Sequence, residues 1–276
     1  MTTPPLRPAP WNELHTLAGL WAALAAYLLP LALIAPTAQL LGAHSQFRDA
    51  GDTFHNLASL ATYADLALAR ATAGNPLPPT PRLLADPITV RIAWSMAILS
   101  SALFILIALT APRRPLPTIA HALGLHRFQA DRLWLPALCV ATLYPLTGIY
   151  STIVAHLGLT QLAPTPDPAT LSPILRDPAA LALYSTATVI AAPLSEEAIY
   201  RGLAFTGTLR WGFLPAATFS ALLFALSHRD LGTLLPSLLA GITMAWLYYR
   251  SGSLWDAIAF HVLYNSLSLI LLLTRN

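Results

Sequence analysis

Long apolar stretches alternate with short polar or proline-rich breaks along almost the whole chain. Seven of them approach or exceed the roughly 20 residues that a helix needs to cross the hydrocarbon core of a bilayer. They occupy residues 14–41, 88–111, 133–157, 179–209, 213–228, 231–249 and 254–273. The pattern therefore predicts an all-α, polytopic membrane protein of about seven transmembrane helices, with any active site inside the helix bundle.

The breaks divide the chain into two regions. Residues 1–178 form an N-terminal transmembrane region with about three spans, and residues 179–276 form a second helix bundle. Residues 52–73 mix apolar positions at helical spacing with charges, which predicts a short interfacial helix, with a disordered loop as the alternative. Residues 74–87 and 163–168 are rich in proline and are predicted to be linkers. The first stretch has no small-residue cleavage site after it, so we expect an uncleaved span.

Composition supports the membrane prediction and excludes several classes of protein. Hydrophobic residues make up 56% of the chain and charged residues only 10%, whereas soluble domains are nearer a quarter charged. The net charge of +3 is scattered, so a nucleic-acid partner is not expected. Cys139 is the only cysteine, which rules out a disulfide within one chain and a site of several thiolates.

Arginine placement gives a predicted orientation. The loop over residues 112–132 carries four arginines and one aspartate, whereas the loop over 158–178 carries one arginine and two aspartates. Because basic residues are retained on the cytoplasmic side, the first of these loops and the N-terminus are predicted to be cytoplasmic. With seven spans, the C-terminus would then lie outside.

Two adjacent carboxylates, Glu196 and Glu197, interrupt the fourth apolar stretch. An ionisable group at membrane depth costs on the order of 2.5–3.5 kcal/mol on insertion scales, so each carboxylate needs a partner or a function. Glu197 and Arg201 are four residues apart and can pair on a helix, whereas Glu196 lies about 100° away on the face of Tyr200. One glutamate is thus predicted to be neutralised and the other free to face a cavity. A closed ion cluster that only holds the helix in place is the alternative.

Two later patterns add polar groups to apolar helices. Phe224 and His228 are one turn apart near a helix end, and His261 and Asn265 are one turn apart inside the last stretch. Taken singly, the first pattern is typical of an interfacial histidine, and the second of an interhelical hydrogen bond worth about 0.6 kcal/mol. Together with Glu196 they provide a base for water and hydrogen-bond donors for an oxyanion. This set favours peptide-bond hydrolysis without a covalent intermediate.

The three motifs, in this order, resemble those of the CAAX-processing and bacteriocin-processing (CPBP, or Abi) family of intramembrane proteases. They read Glu-Glu-x-x-x-Arg from residue 196, Phe-x-x-x-His from 224 and His-x-x-x-Asn from 261, and residues 241–255 resemble the segment between the last two. The resemblance covers about residues 180–272 and implies a CPBP-like catalytic helix bundle over 179–276.

The resemblance also implies a role for each motif residue. Glu196 would be the general base and His228 would help to hold the water molecule. His261 and Asn265 would stabilise the tetrahedral oxyanion. Glu197 and Arg201 would support the site, although descriptions of the family often count both glutamates among its active-site residues.

The resemblance leaves two mechanisms open. The family is widely labelled a metalloprotease, and Glu196, His228 and His261 are candidates for the three protein ligands of a catalytic zinc ion. No His-Glu-x-x-His pair fixes two ligands on one helix, and the other view of the family is a metal-free glutamate mechanism. We favour the metal-free mechanism and expect no cofactor.

The orientation puts one constraint on this site. With a cytoplasmic N-terminus, Glu196 and His261 lie in the cytoplasmic halves of their helices, whereas His228 comes late in a span that runs outward. These residues can meet only if the fifth span starts deep in the membrane or if the site lies near its centre.

The predicted function is an intramembrane endopeptidase that acts on a peptide or protein at the bilayer. The absence of lysine suggests a bacterial cytoplasmic membrane, where leader or tail peptides are better candidates than prenylated substrates. A non-catalytic bacteriocin-immunity or scaffold protein is the alternative. A transporter is disfavoured because the chain lacks an internal repeat. Nothing in the sequence sets an oligomeric state.

Overall fold

The computed structural model describes residues 6–42, 87–159, 162, 176–228 and 230–274. This part of the chain is helical and contains no strand. Its helices are α1 (Glu13–Leu40), α2 (Pro87–Thr110), α3 (Leu116–Ala122), α4 (Trp134–His156), α5 (Pro178–Trp211), α6 (Phe213–Ser227), α7 (Leu231–Ser251) and α8 (Leu254–Thr274). A 3₁₀ turn, Ala130–Arg132, precedes α4.

The structure confirms an all-α, polytopic membrane protein. Over the described ranges, six helices are long and apolar enough to cross a membrane: α1, α2, α4 with its preceding turn, α5, α7 and α8. The remaining predicted span is α6, which has 15 residues and is shorter than a standard crossing helix. The predicted apolar stretches and the observed helices agree within two residues at each end.

The N-terminal region contains one helix that was not predicted and several predicted segments that the structure does not describe. Helix α3 lies in the arginine-rich loop and was not predicted, because seven residues are too few to show a clear apolar period. Its Ile119 is fully buried, so this loop packs against its surroundings. The predicted interfacial helix at 52–73 and the linkers at 74–86 and 163–168 fall outside the described residues.

By their contacts, the residues group into two compact units. One unit comprises Met1–Leu24, Ser101–Pro164 and Thr188–Asn276, and the other comprises Ala25–Ser100 and Thr165–Ala187. Helices α1, α2 and α5 therefore contribute residues to both units. All the candidate site residues belong to the first unit. The sequence-based division at residues 178 and 179 stays a prediction.

Helices α6 and α7 pack unusually closely within the first unit. Ala217, Ala221 and Ala225 repeat every fourth residue on α6 and are all buried. A Cβ atom built on Gly241 of α7 would lie 2.7 Å from the Cβ atom of Ala221 and 3.2 Å from Arg201 Nη2. Small residues allow helix backbones to approach in this way. The pairing of Gly241 with Ala221 therefore leaves no space for an additional methyl group beside Arg201.

The turn before α8 is fixed by the loop that follows α3. Gly124 and Gly252 both have positive φ angles, of 65° and 66°. A Cβ atom on Gly124 would lie 1.9 Å from the carbonyl oxygen of Gly252, so the two backbones touch. Trp255 Nε1 donates to the carbonyl oxygen of Leu125 at 2.8 Å. These contacts anchor the start of the helix that carries His261.

In the second unit, the start of α5 is held to α2. Asp177 caps α5 by accepting a hydrogen bond from the Ala179 amide at 3.0 Å. Arg91 binds the same carboxylate through Nε at 2.6 Å and Nη2 at 3.0 Å. The hydrogen bond from Arg91 lowers the pKa of Asp177 below its ordinary value. An edge-to-face contact of Trp94 with Tyr184, 4.8 Å between ring centroids, adds to this attachment.

Candidate active site

Helix α5 carries both glutamates and departs from α-helical geometry around them. Its segments Ala187–Ala191 and Glu197–Phe205 are π-helical, and the α-helical turn Ala192–Glu196 lies between them. Pro193 lacks the amide hydrogen that a regular turn needs, which explains a distortion just before it. Such π-helical turns are frequent at functional sites, so these segments of α5 are candidates for one. Glu196 ends the central α turn and Glu197 begins the longer π segment.

Glu197 is completely buried and accepts two hydrogen bonds. Its Oε1 atom is 2.9 Å from Arg201 Nη1, in an ion pair whose two side chains are both 0% exposed. The same oxygen is 2.9 Å from His261 Nδ1. The predicted pairing of Glu197 with Arg201 is therefore present, and the contact with His261 extends it.

Glu196 is placed differently from its neighbour. Its side chain is 24% exposed, and its Oε2 atom lies 4.0 Å from His261 Nε2. That oxygen is buried and has no hydrogen-bond partner among the described residues. The two glutamates therefore have the distinct environments that helical geometry predicts. Glu197 is fully buried and paired with an arginine through Oε1, whereas Glu196 is partly exposed and has no arginine partner among the described residues.

His261 is oriented by its contact with Glu197. A carboxylate can only accept a hydrogen bond, so the proton of this contact belongs to Nδ1 of His261. The Nε2 atom then faces Glu196 with a lone pair in the neutral ring and with a proton only in the imidazolium form. Sequence reasoning missed this arrangement, because no local spacing relates residues 197 and 261.

His228 follows the last residue of α6 and lies at the same aromatic ring as His261. Its Nδ1 atom donates to the carbonyl oxygen of Phe224 at 2.8 Å, so Nε2 is the nitrogen that carries the lone pair in the neutral ring. The Phe224 ring centroid is 4.7 Å from that of His228 and 5.6 Å from that of His261. Both imidazoles therefore contact the same ring, and the depth of the site in the membrane stays a prediction.

Asn265 is one turn beyond His261 on α8. Its Nδ2 atom donates to the carbonyl oxygen of Thr188 at 2.8 Å. Thr188 lies in the first π segment of α5, Ala187–Ala191. This contact uses one N–H group of the carboxamide and fixes the direction of the other. No spacing within one helix signals this contact, because the carbonyl belongs to an irregular turn.

The candidate zinc ligands do not assemble into a metal site over the described ranges. No group of three or more histidine, cysteine, aspartate or glutamate side chains is arranged there to hold a metal ion. A catalytic zinc ion needs three protein ligands. Glu196 and His261 are neighbours, and His228 does not complete a set of three ligands with them. We therefore derive no chemical step from a bound metal.

Comparison with known proteins agrees with the motifs. Residues 178–267 match the family model described as Type II CAAX prenyl endopeptidase Rce1-like. Over these residues the chain is similar to that family, in agreement with the resemblance of its motifs to CPBP proteases. The CPBP segment, as we call residues 178–267, contains every candidate site residue from Glu196 to Asn265.

A curated relative points to the same class of protein. A stretch of 94 residues is 33% identical to "Putative membrane peptidase YdiL" of Bacillus subtilis (strain 168). The aligned stretch covers 33% of this chain and 38% of the relative, so the chain spans well under half the length of that relative. No solved structure matches the chain. The similarity to this family therefore concerns the CPBP segment.

Proposed function

We propose that this chain is an intramembrane endopeptidase that hydrolyses a peptide bond of a membrane-associated peptide or protein. In this proposal Glu196 is the general base, and His228 helps to hold the attacking water. His261 and Asn265 stabilise the oxyanion. Glu197 and Arg201 keep His261 in place and balance the charge of the site.

The carboxylate of Glu196 is the observation that carries this proposal. Its Oε2 atom is buried without a hydrogen-bond partner in the described part of the chain, beside the unused nitrogen of His261. An unsatisfied buried carboxylate oxygen is destabilising, so its place beside a histidine favours a use for it. Glu197 is anchored through Oε1 to Arg201 and His261, although its Oε2 atom has no partner among the described residues either. Glu196 Oε2 lies beside His261 Nε2 instead of being bound by the arginine, and this difference supports a chemical role for Glu196.

The gap between Glu196 and His261 suits a water molecule. A separation of 4.0 Å between Oε2 and Nε2 is too long for a direct hydrogen bond. A water molecule about 2.8 Å from both atoms would subtend an angle of about 90° at its oxygen, which hydrogen bonding tolerates. The separation of the two atoms is therefore that of a water-bridged pair, which is consistent with a water molecule next to the proposed base.

The proposed reaction needs no covalent intermediate. Glu196 takes a proton from water as the water oxygen forms a bond to the carbonyl carbon of the substrate, and the carbonyl π electrons move to its oxygen. The tetrahedral intermediate then collapses, the C–N bond breaks, and the protonated Glu196 returns its proton to the leaving amine. General base catalysis of this kind contributes about 10²–10⁴-fold to the rate.

His261 and Asn265 are proposed as donors to the developing oxyanion. Asn265 has a second N–H group beyond the one bound to the Thr188 carbonyl. His261 donates from Nε2 as an imidazolium, whose charge is balanced by Glu197 at Nδ1. Donors fixed before the reaction stabilise charge strongly in a site of low dielectric.

We further propose a bacterial cytoplasmic membrane as the location and a leader or tail peptide as the substrate class. The six apolar helices support an integral, multi-pass membrane protein, and the Bacillus relative is consistent with a bacterial membrane. No metal ion or cofactor is included in the proposal.

The test compares substitutions of Glu196 and Glu13 in one peptide-cleavage assay. The purified protein is reconstituted into phospholipid vesicles with a library of membrane-anchored peptides, and new peptide termini are identified by mass spectrometry. Glu196→Gln should lower the cleavage rate by about 10²–10⁴-fold. Its control is Glu13→Gln, because Glu13 forms a partly exposed ion pair with Arg210 at 3.1 Å, and such pairs contribute little.

Thermal unfolding in detergent shows whether each variant is folded. Equal cleavage by folded Glu196→Gln and by the wild type would contradict the proposal. That result would favour the alternative of a non-catalytic immunity or scaffold protein.

A further inference from the structure

We infer that Phe224 is a positioning residue for the reaction proposed above, on which this inference rests. The side chain of Phe224 contacts three groups of the candidate site at once: the two histidine rings and the guanidinium of Arg201. It lies on α6, whereas Arg201 and His261 lie on α5 and α8. One ring therefore connects the three helices that carry the site.

The edges and faces of the three aromatic rings fix their mutual orientation. The His228 ring is inclined by 72° to the Phe224 ring, with the centroids 4.7 Å apart. The His261 ring is inclined by 88°, with the centroids 5.6 Å apart. Such edge-to-face contacts are the preferred geometry of aromatic pairs, so each imidazole is held in one plane.

The backbone of Phe224 adds to this effect on His228. Its carbonyl oxygen accepts the Nδ1 hydrogen of His228 at 2.8 Å and thereby sets which ring nitrogen carries the proton. Phe224 itself is only 3% exposed, which leaves its ring little freedom to move. His228, an exposed residue just beyond the end of a helix, is thus held by a buried one.

The third contact links Phe224 to the glutamates. The Arg201 guanidinium carbon lies 4.5 Å from the ring centroid of Phe224, over its face. Arg201 uses Nη1 for Glu197, and its Nε and Nη2 atoms have no hydrogen-bond partner among the residues described here. The cation–π contact is therefore the other interaction that holds this guanidinium. Through Glu197, the same arginine affects the orientation of His261.

The experiment replaces Phe224 and a control phenylalanine on the same helix. Phe224→Leu removes the ring but keeps an apolar side chain, and Phe224→Tyr keeps the ring. Phe219→Leu is the control, because Phe219 lies on the same helix and its ring packs on that of Trp211, 5.8 Å between centroids, which is not a candidate site residue. Cleavage kinetics are measured on a peptide that the wild type cleaves in a Glu196-dependent manner.

We expect Phe224→Leu to lower kcat by roughly tenfold to a hundredfold with little change in KM, as for a small misplacement of catalytic groups. Phe224→Tyr and Phe219→Leu should keep most of the activity. A second measurement needs no substrate: diethyl pyrocarbonate should modify His261 several-fold faster in Phe224→Leu than in the wild type, with the exposed His121 as internal reference. A faster rate at His261 with an unchanged rate at His121 reports a local change in the access or hydrogen bonding of the His261 ring.

The two measurements separate this inference from the proposed function. If no peptide is cleaved in a Glu196-dependent manner, the proposed function fails, and the modification rate of His261 still tests the positioning role. A wild-type value in either measurement for folded Phe224→Leu would overturn the inference. If Phe224→Leu does not fold, pentafluorophenylalanine at position 224 keeps the shape and reverses the charge distribution of the ring. That variant should also lower kcat, and a wild-type kcat would overturn the inference.

Discussion

Glu197 Oε1 and His261 Nδ1 are 2.9 Å apart, between residues that are 64 positions apart in the chain. This contact joins α5 to α8 and sets the proton of His261 on Nδ1. The same oxygen also accepts from Arg201, so one buried carboxylate orients a histidine and balances an arginine. Glu197 therefore has two roles: it stabilises the buried arginine and it orients the His261 ring.

Replacing both members of the buried ion pair should separate the effect of Glu197 on stability from its effect on His261. Arg201→Met leaves Glu197 without its arginine and should destabilise the protein by about 3–5 kcal/mol. The double variant Glu197→Met with Arg201→Met removes both charges, so most of that stability should return. Cleavage should stay at least about tenfold below the wild type, because His261 has lost the carboxylate that orients it.

Thermal unfolding in detergent and cleavage of a wild-type substrate provide the two measurements. Full activity in the double variant would show that the pair only stabilises the bundle.

The fold was accessible from the sequence because each span is a local pattern. Stretches of apolar residues of membrane length determined the positions of the long helices. The seven residues of α3 carry no such pattern. The π segments of α5 were also missed, although Pro193 was a local signal that the helix could not remain regular.

The site was only partly accessible for the same reason. Spacing predicted the pairing of Glu197 with Arg201, because both lie on one helical face. The contacts of His261 with Glu197 and of Asn265 with Thr188 depend on how two helices pack. Neither can be derived from the spacing within one helix. The motif order pointed to a shared site without giving its geometry.

Chelation tests the role of metal in this site. Over the described residues, no group of three or more histidine, cysteine, aspartate or glutamate side chains is arranged to hold a metal ion. Dialysis against a strong chelator should therefore leave the cleavage rate within about twofold of its initial value, because general base catalysis by Glu196 needs no Lewis acid. Activity and zinc content are measured in parallel. Loss of activity that zinc restores would contradict this expectation.

Asn265 should matter for the transition state more than for substrate binding. Asn265→Asp keeps the shape of the side chain but replaces the donor Nδ2 by an acceptor, so the bond to the Thr188 carbonyl is lost as well. Removal of one oxyanion donor typically lowers kcat by about 10²–10³-fold. We expect a fall of this size with a nearly unchanged KM.

The control for Asn265 is Ser268→Ala on the same helix, because Ser268 Oγ only donates back to the carbonyl oxygen of Tyr264 at 3.0 Å. Equal effects of the two substitutions would argue against an oxyanion role for Asn265.

Gly241 should tolerate no side chain, because it faces α6 at the closest approach of two helices. In Gly241→Ala the new methyl group would lie 2.7 Å from Ala221 Cβ and 2.9 Å from Ala221 Cα, and a backbone atom cannot move aside as a flexible side chain can. Overpacking of this kind typically costs about 1–3 kcal/mol.

The control is Gly148→Ala, since Gly148 is also inside a helix but has open space where its Cβ atom would be. That substitution should be neutral or stabilise α4 by about 0.5–1 kcal/mol. Thermal unfolding in detergent distinguishes them, and a smaller loss at Gly241 than at Gly148 would contradict the close packing. Because the same methyl group would lie 3.2 Å from Arg201 Nη2, Gly241→Ala should also lower the cleavage rate of the protein that remains folded.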